Sequence, residues 1–183
     1  MQTLEQDALA PPPVRRAGRR SIAFWGVAAA VIALDQLTKA IVRATLDVGE
    51  AWPRDWPVQV HNVTNSGAAF SSLQDQTVFL IFMSLIGLAA IYIYYRNPPF
   101  QHWVASVAIG MMLGGAAGNL IDRVRVGRVT DFVDFFGFPT FNVADSSISI
   151  GVTAIIIGYL LFAEKQMTPR RPAGPHEDAP ADG

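Results

Sequence analysis

Residues 103–121 read WVASVAIGMMLGGAAGNLI, an uncharged and largely apolar stretch directly followed by Asp122. A hydrocarbon core about 30 Å thick requires roughly 20 apolar residues per helix, so this stretch is long enough to cross a membrane. Within it, Gly110, Gly114 and Gly118 recur at intervals of four, a pattern that lets helix backbones pack closely. The chain therefore predicts four transmembrane helices, because three further stretches have similar length and character: Ile22–Val42, Val78–Tyr95 and Ser146–Ala163.

The composition agrees with an integral membrane protein. Of the 183 residues, 51% are hydrophobic and 16% are charged, whereas soluble domains contain about 25% charged residues. The formal net charge is −1 and no basic, aromatic-rich patch is present, so we expect no nucleic-acid partner. Cysteine is absent and the three histidines are far apart. The sequence therefore predicts no metal site and no cofactor.

The segments between and beyond these helices complete one membrane domain, residues 21–165. Residues 1–20 and 166–183 are rich in proline, alanine and charge, and we expect disordered cytoplasmic tails there. Residues 47–76 contain alternating valines bounded by prolines, which predicts a small β-rich segment on the membrane surface. The predicted fold class is all-α, with four transmembrane helices and this one extracytoplasmic β-rich segment.

Basic residues near the helix ends predict the orientation of the chain. Eight lysines and arginines fall on the side that holds both termini, including Arg15, Arg16, Arg19 and Arg20, and five fall on the other side. We therefore expect both termini in the cytoplasm and the acids after the third helix near the outer face. The N-terminal region also imitates a signal peptide, but its apolar run continues to Val42 without a convincing cleavage site.

Ionisable side chains within or beside the apolar stretches are the strongest functional signal. Asp35 and Lys39 lie four residues apart on the first helix, so they share a face and can form an ion pair. Asn119 and Asp122 share a face at the end of the third helix. Charged groups at membrane depth are costly unless they are paired or hydrated, and therefore mark functional sites.

Three further aspartates, Asp131, Asp134 and Asp145, lie in the connection to the fourth helix. Asp145 directly precedes the predicted helix, where an aspartate is a common N-cap and the helix dipole stabilises its charge. A partner acid among phenylalanines would hold its proton more strongly, because burial and a neighbouring like charge both disfavour ionisation. Such a pair can divide the roles of acid and base in hydrolysis. Spacing alone does not choose between Asp122, Asp131 and Asp134 as that partner.

Two other classes of function fit the same acids. A small membrane transporter or proton-relay subunit could use Asp35, Lys39 and Asp122, but such proteins place acids near the bilayer midplane and often contain repeated halves. A non-catalytic scaffold would need Asp145 only as a helix cap. The acids gather towards one face and no internal repeat is visible, which favours hydrolysis.

Five blocks of the sequence together resemble the bacterial lipoprotein signal peptidase (signal peptidase II) family. They occur in the family's order: DQLTK at 35–39, NSGAAF at 65–70, GGAAGNLIDR at 114–123, VTDF at 129–132 and FNVADS at 141–146. The resemblance implies a four-helix aspartyl endopeptidase of the bacterial inner membrane. Such an enzyme removes the signal peptide from diacylglyceryl-modified prolipoproteins, just before the lipidated cysteine. Its expected partners are these substrates and membrane lipid, and we expect a monomer.

The resemblance also implies roles for individual residues. The acids of the VTDF and FNVADS blocks, Asp131 and Asp145, correspond to the family's catalytic pair. The chain has Thr130 where the family most often has valine, a difference that concerns the packing just before Asp131. The other matched polar and glycine positions are expected to support the site or bind substrate: Asp35, Lys39, Asn65, Gly67, Asn119, Asp122, Arg123 and Asn142.

Overall fold

The structure is a computed structural model that describes residues 15–66, 77–98, 102–136 and 138–162. Its four helices are α1 (Arg15–Thr45), α2 (Thr77–Arg96), α3 (Trp103–Val126) and α4 (Val143–Phe162). Its three strands are β1 (Ala51–Trp52), β2 (Val58–Asn65) and β3 (Val129–Phe135). All four helices are long and apolar enough to cross a membrane. The predicted fold class of four membrane helices with a small β-rich segment is confirmed.

Two helix boundaries differ from the prediction in ways that matter. Helix α1 begins at Arg15, so residues 15–20 of the expected tail are helical, which suits the high helix propensity of arginine. Helix α4 begins at Val143 rather than Ser146, which moves Asp145 from the predicted cap into the first helical turn. The remaining parts of both expected tails lie outside the described residues, as does Gly67.

The strands form one antiparallel sheet in the order β1-β2-β3. Along β2 and β3, Asn65 lies opposite Val129, and the register shifts between Val60 and Val63. Strand β3 was not predicted, and its acids, Asp131 and Asp134, were placed only in the connection to the fourth helix. Its valines, threonine and phenylalanines are nevertheless typical of a strand that packs on both faces.

Helix α3 lies at the centre of the helices and packs against α1, α2 and α4. Its glycines permit these contacts. A Cβ atom at Gly114 would lie 2.7 Å from the backbone oxygen of Ala28 in α1, and one at Gly115 would overlap the backbone oxygen of Ala144 in α4. The close packing predicted from the glycine stripe is therefore confirmed.

This packing separates an apolar end of the helices from a polar end. At the apolar end, the buried Phe24 of α1 stacks on Tyr95 of α2 with ring centroids 3.7 Å apart. At the other end, α1 and α3 contact β3, and α1 also contacts β2. The last turns of α1 and α3 and the first turn of α4 therefore meet beside the sheet, where their polar side chains converge.

We expect Gly114→Ala to lower the free energy of unfolding by about 1–3 kcal/mol, because the new methyl group would overlap the backbone of α1. Gly87→Ala in α2 is the matched control, since a Cβ atom there meets nothing within 4 Å. Thermal unfolding of both variants in the same detergent measures the difference. Equal midpoints for the two variants would show that the contact between α1 and α3 is not tight.

Candidate active site

Asp131 of β3 and Asp145 of α4 are joined through Asn142. The side-chain amide of Asn142 donates to Oδ1 of Asp131 at 2.6 Å, and its backbone N–H donates to Oδ2 of Asp145 at 3.2 Å. Asp131 is only 2% exposed, whereas Asp145 is partly exposed. The structure thus brings together the two acids that the family resemblance pairs. Asp134, another acid left open by spacing, instead lies 3.7 Å from Nδ1 of His61.

The first turn of α4 holds Asp145 in place. Asn142 is the N-cap, and its Oδ1 accepts a hydrogen bond from the Asp145 N–H at 3.0 Å. Because Asp145 in turn accepts from the Asn142 N–H, the two residues form a capping box. The expectation that Asp145 is itself the cap was therefore wrong. Asp145 is the third residue of the helix and uses only Oδ2 in the capping box. Its Oδ1 is therefore available and accepts from Nδ2 of Asn119 at 2.8 Å.

The sheet positions Asp131. Asn65 and Asp131 lie on the same face of the sheet, and Nδ2 of Asn65 donates to Oδ2 of Asp131 at 2.9 Å. Burial raises the pKa of Asp131 and the nearby charge of Asp145 raises it further, although the amides of Asn65 and Asn142 oppose this shift by stabilising the carboxylate. Asp131 therefore keeps its proton to a higher pH than an ordinary aspartate, a property suited to one member of an acid–base pair.

Asn119 connects this pair of acids to a buried lysine. While its Nδ2 donates to Asp145, its Oδ1 accepts from Nζ of Lys39 at 2.9 Å and from Nδ2 of Asn142 at 3.2 Å. The lysine determines which end of the amide faces each group, because an ammonium can only donate. Asn119 is thereby oriented with its amino group towards the carboxylate of Asp145.

Lys39 forms a buried cluster with two carboxylates. Its Nζ lies 2.8 Å from Asp35 and 3.2 Å from Asp122, and all three residues are at most 1% exposed. Backbone N–H groups complete the site: Ala144 donates to Asp35 at 3.0 Å, and Thr130 donates to Asp122 at 3.3 Å. The cluster therefore joins α1, α3, α4 and β3 through charged hydrogen bonds.

Three members of this network were not assigned to the site from the sequence. Nε2 of Gln36 lies 3.2 Å from Oδ1 of Asp122, and Arg43 donates to the hydroxyl of Thr130 at 3.0 Å. Arg43 also lies 3.6 Å from Asp122. Arg43 lies four residues after Lys39, and this spacing could have indicated that both residues lie on the same face of α1. The hydroxyl of Thr130 explains how this chain accommodates threonine where valine was expected.

The other predicted residues are placed less directly. Arg123 is partly buried and close enough to Asp145, Asp131 and Asp122 to interact with them electrostatically. Gly67 cannot be placed because it lies outside the described residues. Within the described ranges, no group of three or more His, Asp or Glu side chains is arranged to hold a metal ion.

Comparisons with known proteins agree with the resemblance. The model of a family described as "Signal peptidase (SPase) II" matches residues 27–161. A lipoprotein signal peptidase of Dehalococcoides mccartyi is 39% identical over 146 residues, covering 78% of this chain and 91% of the relative. One of Geobacillus thermodenitrificans is 39% identical over 151 residues, covering 80% and 94%. A solved structure described as a bacterial membrane enzyme superposes with a TM-score of 0.71 at 31% identity, covering 85% of this chain and 95% of that one.

We expect Lys39→Met to lower the free energy of unfolding by about 3–5 kcal/mol, because it leaves two buried carboxylates without their cation. Arg43→Met is the matched control on the same helix. Arg43 is 33% exposed and 3.6 Å from Asp122, and exposed ion pairs contribute about 0–1 kcal/mol. Unfolding of both variants in one detergent measures the contrast. A Lys39→Met variant as stable as Arg43→Met would contradict a structural role for the cluster.

The raised pKa of Asp131 predicts a pH dependence of stability. An acid with a raised pKa in the folded state stabilises the fold when protonated, and this contribution is lost as the pH rises through that pKa. We therefore expect the stability of the wild type, relative to Asp131→Asn, to fall as the pH rises from about 4, the ordinary aspartate value, towards neutrality. Thermal unfolding of both proteins over this range gives the difference curve, in which the titrations of groups that do not interact with Asp131 cancel. A curve that rises with pH would contradict the assignment.

Proposed function

The chain belongs to the signal peptidase II family of membrane aspartic peptidases, and we propose that it removes the signal peptide from prolipoproteins. In this proposal the cut lies just before a cysteine that already carries diacylglyceryl. The observation that carries the proposed chemistry is that Asn142 holds both acids, Asp131 through its side-chain amide and Asp145 through its backbone N–H. Two acids held in this way can activate water and polarise a peptide bond without a covalent intermediate.

The proposed reaction begins with Asp131 protonated and Asp145 ionised. Burial favours the neutral form of Asp131, whereas Asp145 is the more exposed of the two acids. Asp145 takes a proton from a water molecule, and the oxygen of that water attacks the scissile carbonyl carbon. At the same time Asp131 gives its proton to the carbonyl oxygen. When the tetrahedral intermediate collapses, Asp145 gives its proton to the leaving amide nitrogen and Asp131 recovers one from the intermediate. Both acids return to their starting states.

Hydrogen bonds from fixed amides support this division of roles. Asp131 accepts from Asn142 and Asn65, and Asp145 accepts from Asn119 and from the Asn142 backbone. Each carboxylate oxygen therefore has one donor that restrains it and a second lone pair available for water or substrate. Groups held in this way need little reorganisation when the reaction starts.

The depth of the acids supports hydrolysis rather than ion transport. Asp122 lies about 28 Å along α3 from Trp103 at 1.5 Å per residue, close to the full thickness of a hydrocarbon core. A relay would instead place its acids near the midplane. We infer that the site lies at the outer boundary of the bilayer, with both termini in the cytoplasm. Water then reaches the acids from one side and a lipidated substrate reaches them from the other.

The test is cleavage of a diacylglyceryl-modified prolipoprotein peptide by purified protein in detergent. We expect Asp131→Asn and Asp145→Asn each to lower the rate by about 10²–10⁴-fold, the range typical of lost acid–base catalysis. Asp134→Asn, three residues along the same strand, is the matched control and should cut at close to the wild-type rate. A chelator should leave the wild-type rate unchanged, and the same peptide without its lipid should be cut poorly.

The outcomes separate the possible errors. If Asp131→Asn still cuts while Asp122→Asn does not, the acid paired with Asp145 has been misassigned. If the unlipidated peptide is cut as fast as the lipidated one, the proposed substrate is wrong. Wild-type protein that is folded but cuts neither peptide would contradict the proposed function itself.

A further inference from the structure

An apolar surface on the sheet has no role in the proposed reaction. It consists of Trp52, Trp56, Val58 and Val60, which we call the interfacial patch. Trp52 and Trp56 are 68% and 64% exposed. Clustered exposed apolar side chains of this size on a segment outside the helices indicate contact with another apolar phase.

The interfacial patch borders a cavity of about 490 Å³ between α1 and the sheet. This volume lies in the range of small-ligand sites, about 300–1,000 Å³. A second cavity, of about 420 Å³, extends from Trp52 and Val60 towards Trp56. The first cavity is lined by residues of α1 and of the sheet, among them Ile41, Val42, Thr45, Trp52, Val60 and Phe132.

The lining offers a ligand almost no free polar group. Its two threonine hydroxyls already donate within α1: Thr38 to the carbonyl of Leu34 at 2.8 Å, and Thr45 to that of Ile41 at 2.9 Å. A polar ligand would lose its hydrogen bonds to water there without replacement, at a substantial cost. The cavity is therefore suited to a hydrocarbon chain.

The position of the cavity points to the bilayer as the source of that chain. Ile41 lines it and is 52% exposed, and it belongs to a helix that can span the membrane. The cavity is thus continuous with the lipid-facing side of α1, in the last two turns of that helix. Tryptophan side chains concentrate at this depth, where the ring is apolar and its N–H can meet the headgroups.

We propose that the interfacial patch is a membrane-contact surface and that the cavity beside it holds an acyl chain of a bilayer lipid. The chain would pack against Phe132, the neighbour of Asp131 on β3. The lipid chain would thereby hold β3 against α1.

The acyl chains of a substrate fit these observations less well, because they would have to begin beside the scissile bond, close to Asp131. A bilayer lipid needs no such starting point, because it approaches along α1.

The test uses tryptophan fluorescence and requires no catalysis, so it stands apart from the proposed function. Trp25, Trp56 and Trp103 are replaced by phenylalanine, which leaves Trp52 as the only tryptophan. The protein is placed in phosphatidylcholine vesicles whose acyl chains carry bromine near the headgroup or near the chain end. We expect a loss of Trp52 fluorescence that is larger for bromine near the headgroup, together with protection from aqueous iodide.

A pair of matched variants tests the cavity. Thr45→Phe places a ring in the cavity and should reduce quenching of Trp52 by brominated lipid. Thr153→Phe is the control, because Thr153 is an exposed threonine of α4 whose hydroxyl also donates to a carbonyl four residues earlier. It should leave the quenching unchanged.

Three results would overturn the proposal. Quenching of Trp52 by iodide but not by brominated lipid would show that the interfacial patch faces water. Quenching that requires a lipidated peptide with brominated chains would assign the cavity to substrate. Protection that grows with protein density in the vesicles would assign the interfacial patch to a second copy of the chain.

Discussion

The fold at its polar end depends on one ammonium group shared by two buried carboxylates. Lys39 can pair with both Asp35 and Asp122 only because α1 and α3 approach closely, and a Cβ atom at Gly118 would lie 2.6 Å from the carboxyl of Asp35. Desolvating three charges is costly, and the cost is recovered only when every hydrogen bond is satisfied. The contact between α1 and α3, the start of α4 and the position of β3 are therefore linked, because α1, α3, α4 and β3 each supply a donor or an acceptor to this cluster.

The candidate active site is an extension of that cluster. Lys39 orients the side-chain amide of Asn119, which in turn donates to Asp145. Asn142 is fixed at the start of α4, and its side-chain amide donates to Asp131. Asp131 thus lies on strand β3 and Asp145 in the first turn of α4, and two of the residues that orient them, Asn119 and Asn142, are buried. Such support is what a reaction between two carboxylates and a water requires, since small displacements of either acid are costly to the rate.

Much of this arrangement could be predicted from the sequence. The four apolar stretches and the glycine stripe indicated the helices and their close packing, and the spacing of Asp35 and Lys39 indicated their ion pair. Strand β3 was missed because Asp131 and Asp134 lie three residues apart and give no alternating pattern, and its pairing with β2 identifies it as a strand. Spacing did not choose between Asp131, Asp122 and Asp134 as the partner of Asp145, because all three acids lie within reach of α4 along the chain. The proposal of Asp131 rests on the family resemblance and on the contacts of Asp131 with Asn142 and Asn65. The contacts of Gln36 and Thr130 depend on side-chain directions that spacing does not determine.

The capping box at Asn142 has a consequence for how this protein can change. Aspartate, serine and threonine cap helices as well as asparagine does, but an ionised aspartate donates no hydrogen bond, and a hydroxyl has one donor on a shorter side chain. The same amide that begins α4 also holds Asp131. Active sites commonly trade stability for activity. At position 142 stability and activity both require asparagine. Variants selected only for resistance to heat should therefore retain Asn142, and with it the geometry of Asp131 and Asp145.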